Sequence, residues 1–175
     1  KQYYAAKGGK LYRGFKVRKG YKYYFDPETG AALSGLQKIG ANYYYFDVAG
    51  RMQTGWGKVG SRTRYFKKST GVRRSGWFKY RGKYYYLNPK TGARMKKRWV
   101  VYNGNYYYLD RKGVRLTATK AVIDGKKYRF DANGICKKKT RAEAARQKAE
   151  QVTPETGNVT STTEQVTPET KALSE

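Results

Sequence analysis

The sequence has no histidine and a single cysteine, Cys136, in 175 residues. The missing histidines remove the most frequent general base and every metal site of the Cys/His kind. They also leave Cys136 with no imidazole to activate it, and a lone thiol has no partner for an internal disulfide. Acidic groups are scarce, 12 against 39 Lys and Arg. Up to residue 139 the acids are Asp26, Glu28, Asp47, Asp110, Asp124 and Asp131. A glycosidase requires two carboxylates across one bond, within about ten Å, whereas most of these stand at the same turn position of separate units, where short polar groups cap turns. The chain is therefore read as non-catalytic, without metal or cofactor, any catalytic domain of a parent protein lying outside this segment. Leu, Ile and Val are too few to fill a large aliphatic core, hydrophobic residues making up only 38% of the chain. No apolar run approaches the length of a membrane span. No signal-peptide pattern follows Lys1, and the expectation is a segment of a longer protein whose export signal lies upstream.

What the sequence does have is tyrosine, 19 of them, written into a repeat. The pattern of the stretch from Gly40 to Gly50, with Tyr43-Tyr44-Tyr45-Phe46-Asp47 at its centre, occurs six times. Aligned on Asp47, the copies fall at Asp26, Asp47, Lys67, Asn88, Asp110 and Asp131, at intervals of 21, 20, 21, 22 and 21 residues. Such a fixed period marks a repeat architecture. A glycine precedes each aromatic run and another follows it, so the unit reads as strand, tight turn, aromatic strand, turn: a β-hairpin. A lone hairpin is marginal in water, while stacked hairpins bury their faces against one another. The fold expected is all-β, an elongated solenoid of about six stacked hairpin units of 20–22 residues. Tyr3-Tyr4-Ala5-Ala6 fits the end of a further, truncated unit, so the array is expected to begin earlier in the parent protein.

Side chains alternate between faces along a strand. One column holds Phe25, Phe46, Phe66, Leu87, Leu109 and Phe130, flanked on the same face by Tyr23, Tyr44, Arg64, Tyr85, Tyr107 and Tyr128; this face is the expected core. The opposite face mixes aromatic with basic groups, among them Tyr24, Tyr45, Tyr65, Tyr86, Tyr108 and Arg129.

Charge is uneven along the chain. Residues 1–139 hold 35 basic and 6 acidic side chains, a net +29, and residues 140–175 hold 4 and 6, a net −2. A rod so basic attracts polyanions, most strongly at low salt. Beyond the array, residues 140–151 have the composition of a short helix, too short to be stable alone. Residues 152–175 form a Thr/Pro/Glu-rich linker, expected to be a disordered tail, in which Glu150 to Thr156 recurs as Glu164 to Thr170.

The units, Gly-Trp followed by a glycine, Tyr-Tyr-Tyr-Leu or Tyr-Tyr-Phe-Asp, and then Gly50-Arg51-Met52-Gln53-Thr54-Gly55-Trp56, resemble the cell-wall-binding repeats of Gram-positive surface proteins and phage lysins. That family includes choline-binding modules, glucan-binding modules of glucosyltransferases, and the C-terminal repeats of large clostridial toxins. The resemblance covers residues 3–139. It implies ligand binding in aromatic clefts between hairpins, built by position from Trp77 with Tyr84 and Trp99 with Tyr106. Trp56, Tyr43, Met52 and Met95 stand as further candidates. Beside these clefts, Arg62, Arg64, Lys67, Lys68, Arg73, Arg74, Lys96, Lys97 and Arg98 are the expected contacts to a polyanion. The function this implies is anchoring a secreted or cell-surface protein of a Gram-positive bacterium, or a phage-encoded one, to a wall polymer: teichoic acid, a choline-substituted polymer or a glucan. Two rivals remain at this point, a basic repeat protein that binds nucleic acid non-specifically and a surface spacer with no ligand.

Overall fold

The computed structural model describes residues 2–136. The helix and linker expected at 140–151 and 152–175 lie outside the described residues. Among the described residues there are twelve strands of five residues each and no helix. They pair as six antiparallel hairpins: β1 Gly14–Arg18 with β2 Tyr21–Phe25, β3 Gly35–Ile39 with β4 Asn42–Phe46, and β5 Gly55–Val59 with β6 Arg62–Phe66. The series continues with β7 Gly76–Tyr80 and β8 Lys83–Leu87, β9 Arg98–Tyr102 and β10 Asn105–Leu109, β11 Thr119–Ile123 and β12 Lys126–Phe130.

Each hairpin closes with a two-residue turn, and the backbone of that turn fixes the register. Arg81-Gly82 has φ of 47° and 75° and Asn103-Gly104 has 47° and 72°, both residues left-handed as a type I′ turn demands. Such turns carry the twist that antiparallel neighbours need, so the register follows from local sequence.

The segment after each hairpin holds the units together. Its amides bond forward and back: Met95 N–H donates to Tyr86 O within the fourth hairpin, while the adjacent Arg94 N–H donates to Thr63 O of the third. The same back-bond runs from Met52 to Lys22, Arg73 to Tyr43, Arg115 to Tyr84 and Cys136 to Tyr106. Ala32 N–H likewise bonds Gln2 O, and Ala5 bridges Leu11 as Phe46 bridges Met52, so residues 2–11 behave as the latter half of a unit.

The carboxylates at the repeat anchor shape these turns. Asp47 Oδ1 accepts from Ala49 N and Arg51 N, both at 2.9 Å, and Asp110 Oδ1 accepts from Lys112 N and Val114 N at 2.8 Å. Asn88 accepts from amides two and three residues on, Lys90 N and Thr91 N, as Asp26 does from Glu28 N and Thr29 N. These side chains serve the backbone, in keeping with a structural reading of the acids.

The expected core column is enclosed: Phe25, Phe46, Phe66, Leu87, Leu109 and Phe130 are buried. Its flanking tyrosines divide, with Tyr23, Tyr44 and Tyr128 buried and Tyr85 and Tyr107 half-buried. The face expected to carry the mixed aromatic and basic groups is not simply a solvent face. Its aromatics pack onto the core face of the next hairpin, Tyr45 on Phe66 and Tyr65 on Phe78, so each inter-hairpin layer is aromatic on both sides.

Candidate functional site

The leading residue of a hairpin sits opposite the aromatic two positions before the anchor: Phe15 faces Tyr24, Trp56 faces Tyr65, Trp77 faces Tyr86 and Trp99 faces Tyr108. A tyrosine of the following hairpin supplies a third ring. Phe15 lies 4.7 Å from Tyr24 and 5.3 Å from Tyr44, and Trp77 lies 4.9 Å from Tyr86 and 5.1 Å from Tyr107, all edge to face. The same triangle forms from Trp56, Tyr65 and Tyr85, and from Trp99, Tyr108 and Tyr128. In such pairs the positive edge of one ring meets the electron-rich face of the other.

The register sets the residue four before the anchor one diagonal step from the tryptophan it was expected to accompany. Tyr84 lies opposite Lys79, Tyr106 opposite Val101, and Thr63, at the same place in the third hairpin, opposite Lys58. Tyr84 shares a face with Trp77, one diagonal step away. In the sixth hairpin the leading slot is Lys120, opposite Arg129. Tyr86, Tyr107, Tyr65 and Tyr85 were legible as ring columns but not as cleft walls. The two-residue turns, extended strand by strand, would have placed Tyr86 and Tyr65 opposite their tryptophans.

The clefts differ in what fills them. Between hairpins three and four, Phe78 and Tyr80 crowd Trp56 and Tyr65, leaving Phe78 and Tyr65 buried. Between five and six, Trp99 is 3% exposed and belongs to a cluster with Ile123, Tyr128, Phe130 and Cys136, against which Tyr106 and Tyr108 pack. Trp99 and Tyr106 are thus brought together, but as core. Between two and three the triangle is broken, because Leu36 replaces the leading ring and Arg64 the tyrosine of the next hairpin. In two clefts among the described residues the triangle carries no further ring. One holds Phe15, which is 40% exposed, and the other holds the half-buried Trp77.

A further column lines the same clefts. Met52 bridges Phe46 as Arg73 bridges Phe66, Arg94 bridges Leu87 and Arg115 bridges Leu109. Met95, one residue beyond Arg94, is not the equivalent of Met52. A Cβ built on Gly71 would stand 2.5 Å from Met52 Sδ, and one on Gly134 would stand 2.9 Å from Arg115 Cδ, so each member of the column lies beneath the next unit's turn glycine. Its guanidinium then covers rings of the preceding hairpin: Arg73 over Tyr43 at 4.2 Å, Arg94 over Trp56 at 5.4 Å, Arg115 over Tyr84 at 4.0 Å and over Trp77 at 5.6 Å.

Of the expected polyanion contacts, Lys67, Lys68, Lys96, Lys97 and Arg98 are exposed, and Arg62, Arg73 and Arg74 are half-buried. Arg74 lies over Phe78 at 5.5 Å and Arg73 donates to Lys90 O. Arg64 is the exception: buried, it donates from Nε to Thr91 O at 2.9 Å and from Nη1 to Val59 O at 2.8 Å. Burial, with lesser repulsion from Arg62 and Arg73, lowers its pKa from the ordinary arginine value. Its guanidinium bonds backbone carbonyls inside the stack, so the expectation of a surface contact does not hold for it. Burial, and secondarily Tyr102, raises the Tyr86 phenol above its ordinary value.

The choline-binding repeat matches residues 33–73 and again 54–99, and the cell wall binding repeat matches 97–114. These units belong to the cell-wall-binding repeat family. Choline-binding protein F of Streptococcus pneumoniae is similar in structure at a TM-score of 0.69 and 30% identity, over 77% of this chain and 43% of that one. The same protein has been solved in the presence of a peptidoglycan analogue, a tetrasaccharide-pentapeptide, and in complex with ipratropium. The autolysin LytC of that species matches at 19% identity and a TM-score of 0.51, over 77% of this chain and 36% of LytC, a likeness of fold alone. The chain spans less than half the length of these neighbours. No curated protein matches it by sequence. Among the described residues, no helix is long and apolar enough to cross a membrane.

Proposed function

We propose that the array is a non-catalytic module that holds a Gram-positive surface or secreted protein on a choline-bearing wall polymer. The observation that carries this reading is the triangle of Phe15, Tyr24 and Tyr44 on a strongly basic stack. A cluster of three aromatic rings suits a quaternary ammonium, each ring face it meets contributing about 0.5–2 kcal/mol depending on desolvation. A free cation meets a chain of net charge +27. A teichoic acid does not, because its phosphates neutralise that field while its ammonium substituent enters the cleft. Exposed Lys67, Lys68, Lys96 and Arg98 meet the phosphates, giving a part of the affinity that salt screens. The family likeness and the peptidoglycan analogue solved with choline-binding protein F lend support from outside the chain.

The experiment is retention on purified choline-bearing wall from low to high salt. Phe15→Ala removes an exposed ring at little risk to the core and should lower retention at every salt concentration. Lys67, Lys68, Lys96 and Arg98 changed together to Gln should lower it chiefly at low salt. Equal retention on wall stripped of choline would sink the aromatic part of the reading. If single-stranded DNA displaced the module from wall at physiological salt, the wall would not be its partner.

A further inference from the structure

The two clefts that carry no further ring are not chemically alike. In the first, the column beneath the turn glycine holds the thioether of Met52. In the second it holds Arg115, whose guanidinium carbon lies 4.0 Å from the Tyr84 ring, 5.6 Å from Trp77 and 5.7 Å from Tyr107. The rings that would receive a ligand's cation already face one belonging to the protein. Arg115 makes no side-chain hydrogen bond among the described residues, and its buried Nε is without a partner.

We propose that the Trp77–Arg115 cleft is an anion-selective site that takes a phosphate-bearing polyol or sugar unit, with the carbon skeleton on Trp77 and the phosphate on Arg115, and that it rejects quaternary ammonium. The proposal rests on the wall-polymer reading above and divides that polymer between two clefts, its cationic substituent at Phe15 and its phosphodiester backbone at Trp77. Three physical points lead here. A second cation about 5 Å from the guanidinium would meet a repulsion worth more than a hundredfold in affinity at an effective dielectric near 20. A guanidinium offers a planar fork of donors to two phosphate oxygens, which a thioether cannot. And a guanidinium that pairs with no carboxylate among the described residues retains its pull on an anion. The other arginine-bearing clefts do not qualify, since Phe78 and Tyr80 fill that of Arg94 and Leu36 leaves that of Arg73 without its leading ring.

The test uses the whole chain at physiological salt, titrated separately with a synthetic glycerol-phosphate tetramer lacking any ammonium and with choline chloride. Calorimetry gives the affinity and tryptophan fluorescence gives the place, with Trp77→Phe as the location control. Arg115→Met installs the side chain that Met52 carries in the equivalent position beneath Gly71, so the fold has a precedent for it. Arg111→Met removes the same charge from an exposed position of the same unit. Expected is a loss of tetramer affinity of tenfold or more in Arg115→Met and under threefold in Arg111→Met. A choline response that depends on Trp77 should appear only in Arg115→Met. Arg115→Lys, which retains the charge, should still exclude choline, and it serves if the methionine variant melts early. Equal losses in the two methionine variants would reduce the effect to diffuse electrostatics and overturn the proposal. So would a choline response at Trp77 in the unaltered chain, or an oligodeoxythymidylate bound through Arg115 as tightly as the tetramer. Loss of choline binding at Phe15 alone would count against the wall reading instead.

Discussion

Changing Arg64 to Met should loosen the stack between hairpins three and four by about 3 kcal/mol. The Arg64 side chain is 7% exposed and gives one hydrogen bond within its own hairpin, to Val59 O, and one across units, to Thr91 O. Methionine keeps the aliphatic volume, so the change isolates the polar loss. Hydrogen bonds from a charged donor contribute about 1.5–3 kcal/mol each, and a buried carbonyl left without a donor costs about 1–3 kcal/mol. Against this stands the desolvation of the guanidinium itself, relieved in the variant, which is why the sum stays near 3 and does not reach 6. In a repeat array such a loss is local to one interface. Native-state amide exchange should therefore show it at β5 to β8 and little at β1 to β4, with the urea midpoint falling as well. Arg64→Lys should recover only part, because an ammonium cannot direct two fixed donors at two separated carbonyls. A change under about 0.5 kcal/mol would refute the reasoning, being the range of an ordinary surface substitution. So would a variant that kept its stability and lost low-salt wall retention to the extent Lys67→Gln does, for that is how a surface contact behaves.

Two further outcomes follow from backbone and turn chemistry. Lys97 and Ala118 hold left-handed φ of 49° and 46° where earlier units use glycine nearby, so Lys97→Gly and Ala118→Gly should each stabilise by about 1 kcal/mol in thermal or urea melts, relieving a strain of 1–2 kcal/mol at some entropic cost. The Asp26 carboxyl lies below its ordinary value of 3.8, held there first by the Thr29 amide, then by the Thr29 hydroxyl. Its folded pKa is the lower one, so its contribution is complete above the unfolded value and fades as pH falls through the folded one. Exchange protection of Glu28 and Thr29, in the turn after the first hairpin, should drop below about pH 4 while that in the turn at Asn88, which has no proton to gain, should not; equal acid sensitivity at both turns would count against this account.

The sequence by itself determined the period, the all-β character and the hairpin as its unit. Those features are local: turn dipeptides such as Asn103-Gly104, alternation within five-residue strands, and anchors such as Asp47 binding amides two and four residues on. Their energetics involve neighbours within one hairpin, and neighbours in a hairpin are neighbours in sequence. The identity of the core column was legible for the same reason. Which aromatic rings form a cleft, and which clefts are filled, was decided by residues about twenty positions away. Trp99 and Trp77 lead otherwise similar hairpins, yet Ile123 and Phe130 close over the first. Arg64 and Lys67 look alike as basic residues of one unit, yet one points to the carbonyl of Thr91 and the other to solvent. Arg115 and Met52 occupy one structural slot, and only stacking places the charge of the first over the rings of the unit before it. A period tells which residues are equivalent, but filling depends on how unequal side chains meet across the layer between units, and that is settled by packing.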